Sequence, residues 1–114
     1  MPPDRDWLLL NDVADHAEEA LGYLEGVSLA AFRKDRRLQL ALERLLEIVG
    51  ESAGRVSSAA QARVDVDWRG LRALRNVLAH QYDAIDHALL YAAATRRLPG
   101  VVQAVRAHLA AQSP

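Results

Sequence analysis

Apolar positions recur at three- and four-residue spacing along most of the chain, the repeat of helices buried on one side. From Trp7 the set Leu10, Ala14, Ala17, Leu21 and Leu24 predicts a first helix ending near Gly26, after a short polar lead-in from Met1 to Asp6. Glu18, Glu19 and Glu25 fall outside that stripe. Ser28 is placed to cap a short helix over Leu29 to Lys34, and Asp35 to cap a long one from Arg36 to about Val56. On the long helix Leu38, Leu42, Leu45, Val49, Ala53 and Val56 form one seam, with Leu40, Glu43, Arg44, Glu47 and Glu51 roughly opposite. Leu40 and Ile48 interrupt the charged side, as either a subunit contact or scattered surface leucines would.

Periodicity weakens from Ser57 to Val66, which reads as a frayed helix end followed by a loop. Asp67 then caps a helix opening at Trp68, and Tyr82 to Ile85 is a break. Asp86 caps a further helix to about Arg97, with Leu89, Leu90, Ala93 and Leu98 apolar. Pro99 and Gly100 predict a kink or short turn before a last helix, since proline suits a first helical turn and disrupts an interior. Val101, Val102, Val105 and Leu109 supply that helix's stripe. No segment requires a strand. The economical architecture is a single all-α domain over residues 1–114, an antiparallel bundle of four to five helices.

Composition narrows the classes. With 51% apolar residues the chain can bury a core, and the scarcity of aromatics (six) beside abundant alanine and leucine favours helix over sheet. No cysteine is present, so disulfides and thiolate metal sites are excluded. No apolar run approaches the roughly 20 residues that span a bilayer, and no basic segment leads into an apolar one at the start. A soluble cytoplasmic protein without membrane association is the expectation. A net charge of −1 means that any nucleic-acid affinity must come from local clustering. All fourteen basic residues except Lys34 are arginine, which suits bidentate phosphate contacts but also follows from a GC-rich genome.

Such clustering occurs in Leu71 to Tyr82, where Arg75, Asn76, His80 and Tyr82 fall within eight residues. At about 100° per residue, Trp68, Leu71, Leu74, Val77 and Leu78 share an apolar arc. Arg69, Arg72, Asn76 and His80 share the opposite one, with Arg72, Asn76 and His80 in a row spaced by four. Arg75 projects inside the apolar arc. A guanidinium there must snorkel, pair with a carboxylate, or line a seam with another surface. His80 sits near the helix end, where the dipole favours its protonated form. The same features fit a histidine cap and a salt-bridged core arginine. Asp12 and His16, four apart, form an isolated pair, and no metal site is expected.

The arrangement Arg75-Asn76-x3-His80-x-Tyr82 resembles the Arg-x4-His-x-Tyr signature of the HEPN superfamily, and within it the HepT toxin branch. The resemblance covers roughly residues 7–110. Phe32, Asp35, Gln39 to Arg44 and Glu47 to Ala53 are similar to that branch's second helix, including its Gly-Glu-Ala-like end. Asp67-Trp68, Leu71 to Asn76, Asp83 to Asp86 and Leu98-Pro99 are similar to the motif's flanks. Ser52 stands where alanine is commoner, and Asp83 follows the tyrosine where an aromatic is frequent. The resemblance implies a homodimeric, metal-independent endoribonuclease toxin that needs no cofactor, with paired Arg/His sets meeting between subunits.

In that implied chemistry His80 moves protons in a transesterification, Arg75 stabilises charge on the phosphate, and Asn76 orients the histidine or a phosphate oxygen. Tyr82 matches a tyrosine to which a minimal nucleotidyltransferase antitoxin can attach AMP. Arg72 and Glu51 are further candidates for substrate binding, Glu51 at the edge of the site or paired with an arginine. Two other classes stay open: a non-catalytic nucleotide- or protein-binding module, and a structural role in which Arg75 and His80 hold a dimer together.

Overall fold

The computed structural model describes residues 4–80 and 86–112, with His80 described by its backbone alone. Among these residues there is no strand; the elements are α1 (Arg5–Leu24), α2 (Leu29–Arg33), α3 (Arg36–Arg55), α4 (Ser58–Gln61), α5 (Trp68–His80) and α6 (His87–Gln112). The all-α bundle follows the expectation from periodicity. The expected break at Tyr82 to Ile85 lies outside the described residues.

Short polar side chains fix where the helices begin. Asp4 Oδ1 accepts from the Trp7 amide at 2.8 Å, so α1 opens at Arg5, and Asp6 belongs to the helix rather than to a lead-in. Ser28 accepts from Ala31 and Asp35 from Leu38, both at 3.1 Å, as their spacing predicts. Asp67 Oδ1 accepts from Gly70 at 2.9 Å and starts α5. Asp86 Oδ1 takes the Ala88 amide at 2.9 Å and starts α6. Each such cap satisfies a helix-end donor and contributes about 1 kcal/mol.

Two segments depart from the sequence reading. Between Ser57 and Val66 a short helix forms where a frayed end and loop are expected. Its Ser57 cap is held from across the molecule: Asp6 Oδ1 accepts the Ser57 amide at 2.8 Å and Oδ2 its hydroxyl at 2.6 Å. These bonds also keep the Asp6 carboxyl below its ordinary pKa. A contact so remote in sequence leaves no periodic trace. The second departure is α6, which runs through Pro99 and Gly100 without the expected turn. Pro99 lies on an exposed position of the helix, so water can serve the carbonyl of Thr95 that loses its amide partner. Buried Leu98 and Val101 on either side keep both halves on the core.

The core lies where α1 contacts α3 and α6. Leu10, Val13, Ala14 and Ala17 of α1 meet Leu42, Leu46 and Val49 of α3, and Leu90, Leu98 and Val105 of α6, all fully or almost fully buried. The neighbours run antiparallel, as the Asp6–Ser57 link shows for α1 and α3. The hydrogen bond from Tyr91 Oη to the Val27 carbonyl, 2.6 Å, ties the start of α6 to the segment after α1. Farther along, Arg106 donates to Glu18 at 2.7 Å and to Asp15 at 2.6 Å, which holds its guanidinium still more firmly protonated. Buried Gln39 donates to the carbonyls of Phe32 and Arg33 at 2.9 and 3.0 Å, closing the end of α2 without an orphaned amide.

Helix α5 packs on α3 and, among the described residues, has no comparable contact with any other element. Gly50 sets the approach: a Cβ there would collide with the Cβ of Arg75 and stand 2.8 Å from the Leu71 carbonyl oxygen. One turn on, a Cβ at Gly54 would meet only the Nε of Arg72, at 3.8 Å. The two glycines therefore respond oppositely to alanine. Gly50→Ala must push α5 away and is expected to cost about 2 kcal/mol. Gly54→Ala is expected to be neutral or to gain up to about 1 kcal/mol from helix propensity. Urea unfolding of the two variants checks this, and equal stabilities would contradict the close approach.

Candidate active site

Arg75 occupies its place because α3 has no side chain at Gly50. Leu71 and Leu78 carry the buried face of α5, with Trp68 and Leu74 half-covered. Trp68 is anchored by its indole Nε1, which donates to the Gln61 and Val64 carbonyls, both at 3.1 Å. Arg75 lies beside Leu71 in angle, so its first carbons enter the α3–α5 seam over Gly50. Its half-buried stem then leads the guanidinium back toward water. Of the three options for an arginine on an apolar arc, snorkelling along an intrachain seam is the one observed. Among the described residues no carboxylate approaches Arg75 within ion-pairing distance, and its Nη1 donates to Asn76 Oδ1 at 3.3 Å.

Beside Arg75 opens a shallow groove of about 270 Å³ between α3 and α5. Gly50 and Gly54 form its floor. Glu51 and Arg55 stand on the α3 side, and Arg72, Arg75 and Asn76 on the α5 side. The groove thus joins four of the six residues singled out from sequence: Arg72, Arg75, Asn76 and Glu51. His80 closes α5, five residues and about 7.5 Å along the helix axis beyond Arg75. Tyr82 lies outside the described residues. Glu51 does pair with an arginine, but it is Arg55 of its own helix, at 3.1 Å, and not one from α5.

Arg55 and Gly54 are the members of this groove that the sequence reading overlooked. The signal was present: Gly50 and Gly54 are one turn apart, the spacing at which small residues let two helices approach closely. Electrostatically the groove holds three guanidiniums against one carboxylate, and α5 adds exposed Arg69 nearby on the same helix. The floor is backbone and the walls are cationic, so an anionic group can approach closely without steric opposition. An arginine without a carboxylate partner, next to an amide side chain, can bind a phosphate's non-bridging oxygens and stabilise charge that accumulates on them.

No group of side chains suited to hold a metal ion occurs among the described residues. Asp12 and His16 meet differently: His16 Nδ1 sits 2.7 Å from the Asp12 backbone carbonyl. A second open region, about 370 Å³, lies between α5 and α6 and has an apolar floor that includes Leu74, Val77 and Leu89. Val77 of α5 is 37% exposed and Leu89 of α6 61%, so both helices carry uncovered apolar surface here. Val77, on the apolar arc of α5, stays uncovered because the packing of α5 among the described residues is mainly on α3. No helix among the described residues is long and apolar enough to cross a membrane.

Residues 13–108 match the model of the family described as Ribonuclease HepT-like. A Methanocaldococcus jannaschii protein named "Putative RNase" is 26% identical over 97 residues, covering 84% of this chain and 89% of its own length. Another protein of that organism, with the same style of name, is 23% identical over 106 residues, 92% of this chain and 88% of its own. A Thermococcus cleftensis protein named "Probable ribonuclease HepT" is 25% identical over 93 residues, 81% and 84% of the two chains. No solved structure matches the chain.

Proposed function

The chain belongs to the ribonuclease HepT-like family, and on that footing we propose that it is a toxin of a toxin–antitoxin pair, an endoribonuclease that cleaves RNA by metal-independent transesterification. The observation that carries the reading is the placement of Arg75: half-buried over Gly50, free of a carboxylate among the described residues, and beside Asn76 in a cationic groove. Arg106, by contrast, is held by Glu18 and Asp15.

In the proposed reaction a ribose 2′-oxygen attacks the adjacent phosphorus and the bond to the leaving 5′-oxygen breaks. The 2′-hydroxyl proton goes to a base, and the 5′-oxygen receives one from an acid. His80 is assigned one of these transfers. The products are a 2′,3′-cyclic phosphate and a 5′-hydroxyl, so no water or redox partner is consumed. Arg75 stabilises the negative charge that grows on the non-bridging oxygens, which supplies in this scheme the electrostatic stabilisation that a metal provides elsewhere. Asn76, bonded to Arg75, orients the guanidinium or a phosphate oxygen.

Control of the toxin completes the proposal. A minimal nucleotidyltransferase antitoxin would transfer AMP from ATP to the Tyr82 hydroxyl, releasing pyrophosphate, and so place a competing phosphate near Arg75 and His80. The active form is a cytoplasmic homodimer. Uncovered apolar surface at Val77 and Leu89, or at exposed Leu40 on α3, supports contact with a second copy. Because Gly50 of the same chain already places Arg75, dimerisation would complete the cleft and is not needed to explain that residue's position.

Purified protein in excess chelator is expected to cut single-stranded RNA to cyclic-phosphate ends. Arg75→Ala and His80→Ala should each lower the rate by about a hundredfold or more at unchanged helicity by circular dichroism. Tight nucleotide binding with no cleavage by the parent would instead favour a non-catalytic module. For Tyr82, incubation with the partner nucleotidyltransferase and ATP should add the mass of AMP to the parent and not to Tyr82→Phe; a gain retained in the variant refutes Tyr82 as the main acceptor.

A further inference from the structure

Gly54 lies one helical turn beyond Gly50, about 6 Å along α3, and Arg72 passes over it as Arg75 passes over Gly50. Arg55, next to Gly54 in α3, lines the same groove. Arg55 and Arg72 thus both line the groove, with Arg72 over backbone at Gly54 that leaves room for a ligand. This repeat, an arginine over a glycine and again one turn on, is comparable in length to the step between successive phosphates of a nucleic-acid strand.

Glu51 gives the second position its character. It holds Arg55 at 3.1 Å as an exposed pair on one helix, a class of ion pair that contributes little. A phosphate can replace it, since phosphate offers Arg55 an acceptor of the same geometry and offers Arg72 one that it lacks among the described residues. We propose that Arg55 and Arg72, over Gly54, form a second phosphate subsite that binds the neighbouring phosphate of a strand whose scissile phosphate lies at Arg75. In this arrangement Glu51 holds Arg55 in the empty groove and yields it when the strand binds. The inference rests on the ribonuclease reading for the identity of the strand, and it changes the expected role of Glu51 from a binding residue to a competitor for the substrate.

The test measures binding apart from cleavage. A short 2′-O-methyl oligoribonucleotide lacks the attacking hydroxyl, so its anisotropy titration with the full chain over a salt series reports affinity alone. Arg55→Gln and Arg72→Gln are each expected to weaken binding about fivefold and to lower the salt slope by about 0.7, the loss of one phosphate contact on a single strand. Glu51→Gln is expected to tighten binding, and Arg36→Gln, at the far end of α3, to leave it unchanged.

If Arg55→Gln and Arg72→Gln bind as the parent does, the subsite is refuted, and cleavage of unmodified RNA by the parent would leave the ribonuclease reading standing. Binding that depends on both arginines in a protein that cleaves nothing would keep the subsite and remove the ribonuclease reading. ATP titrated in place of the oligonucleotide separates the two sources of adjacent phosphates: dependence on both arginines for ATP alone would overturn assignment to a strand.

Discussion

The contact between α5 and α3 at Gly50 sets the rest of the candidate site. A helix that packs on one neighbour only would ordinarily place its arginines in water, where their positions are loose. Here the absence of a side chain at Gly50 brings the backbone of α5 in at Leu71 and seats the first carbons of Arg75 in the seam. The guanidinium therefore leaves a fixed base, which is the condition for stabilising charge at a defined point without reorganising first. Desolvation is modest because only the stem is covered, and the charged end returns to the groove.

That contact also explains how a chain of net charge −1 can present a cationic site. Two glutamates of α3 are held locally, Glu47 by Arg44 and Glu51 by Arg55, while Arg106 is held by Asp15 and Glu18. Arg72 and Arg75 have no such partner among the described residues, and with Arg55 they set three guanidiniums against one carboxylate in the groove between α5 and α3. On the flank of α5 toward α6, apolar surface is uncovered at Val77 of α5 and Leu89 of α6. One helix therefore separates a charged groove from a sticky surface, which suits an element that serves both a substrate and a second protein surface.

Much of the fold was legible from residue spacing because helix ends and seams are local properties. Ser28, Asp35, Asp67 and Asp86 cap the helices that their positions announce, and Leu42, Leu45, Val49 and Ala53 are the buried row they appear to be in the sequence. What escaped depended on distant partners. The short helix α4 is tied down by Asp6, and α6 passes Pro99 because Leu98 and Val101 are held against the core. At the site, the anomaly of Arg75 was visible on a helical wheel, yet its cause lay on another helix. A wheel shows which residue is out of place and says nothing about the glycine that receives it. Arg55 was missed for the same reason, since its relevance comes only from facing Arg72 across the groove.

The central claim is that Gly50 places Arg75 for chemistry. It is tested most directly by comparing RNA cleavage by Gly50→Ala and Gly54→Ala at a temperature where both are fully helical. The account predicts that Gly50→Ala loses turnover far beyond any loss of RNA affinity, whereas Gly54→Ala keeps most of its turnover. Equal turnover by the two folded variants would contradict it.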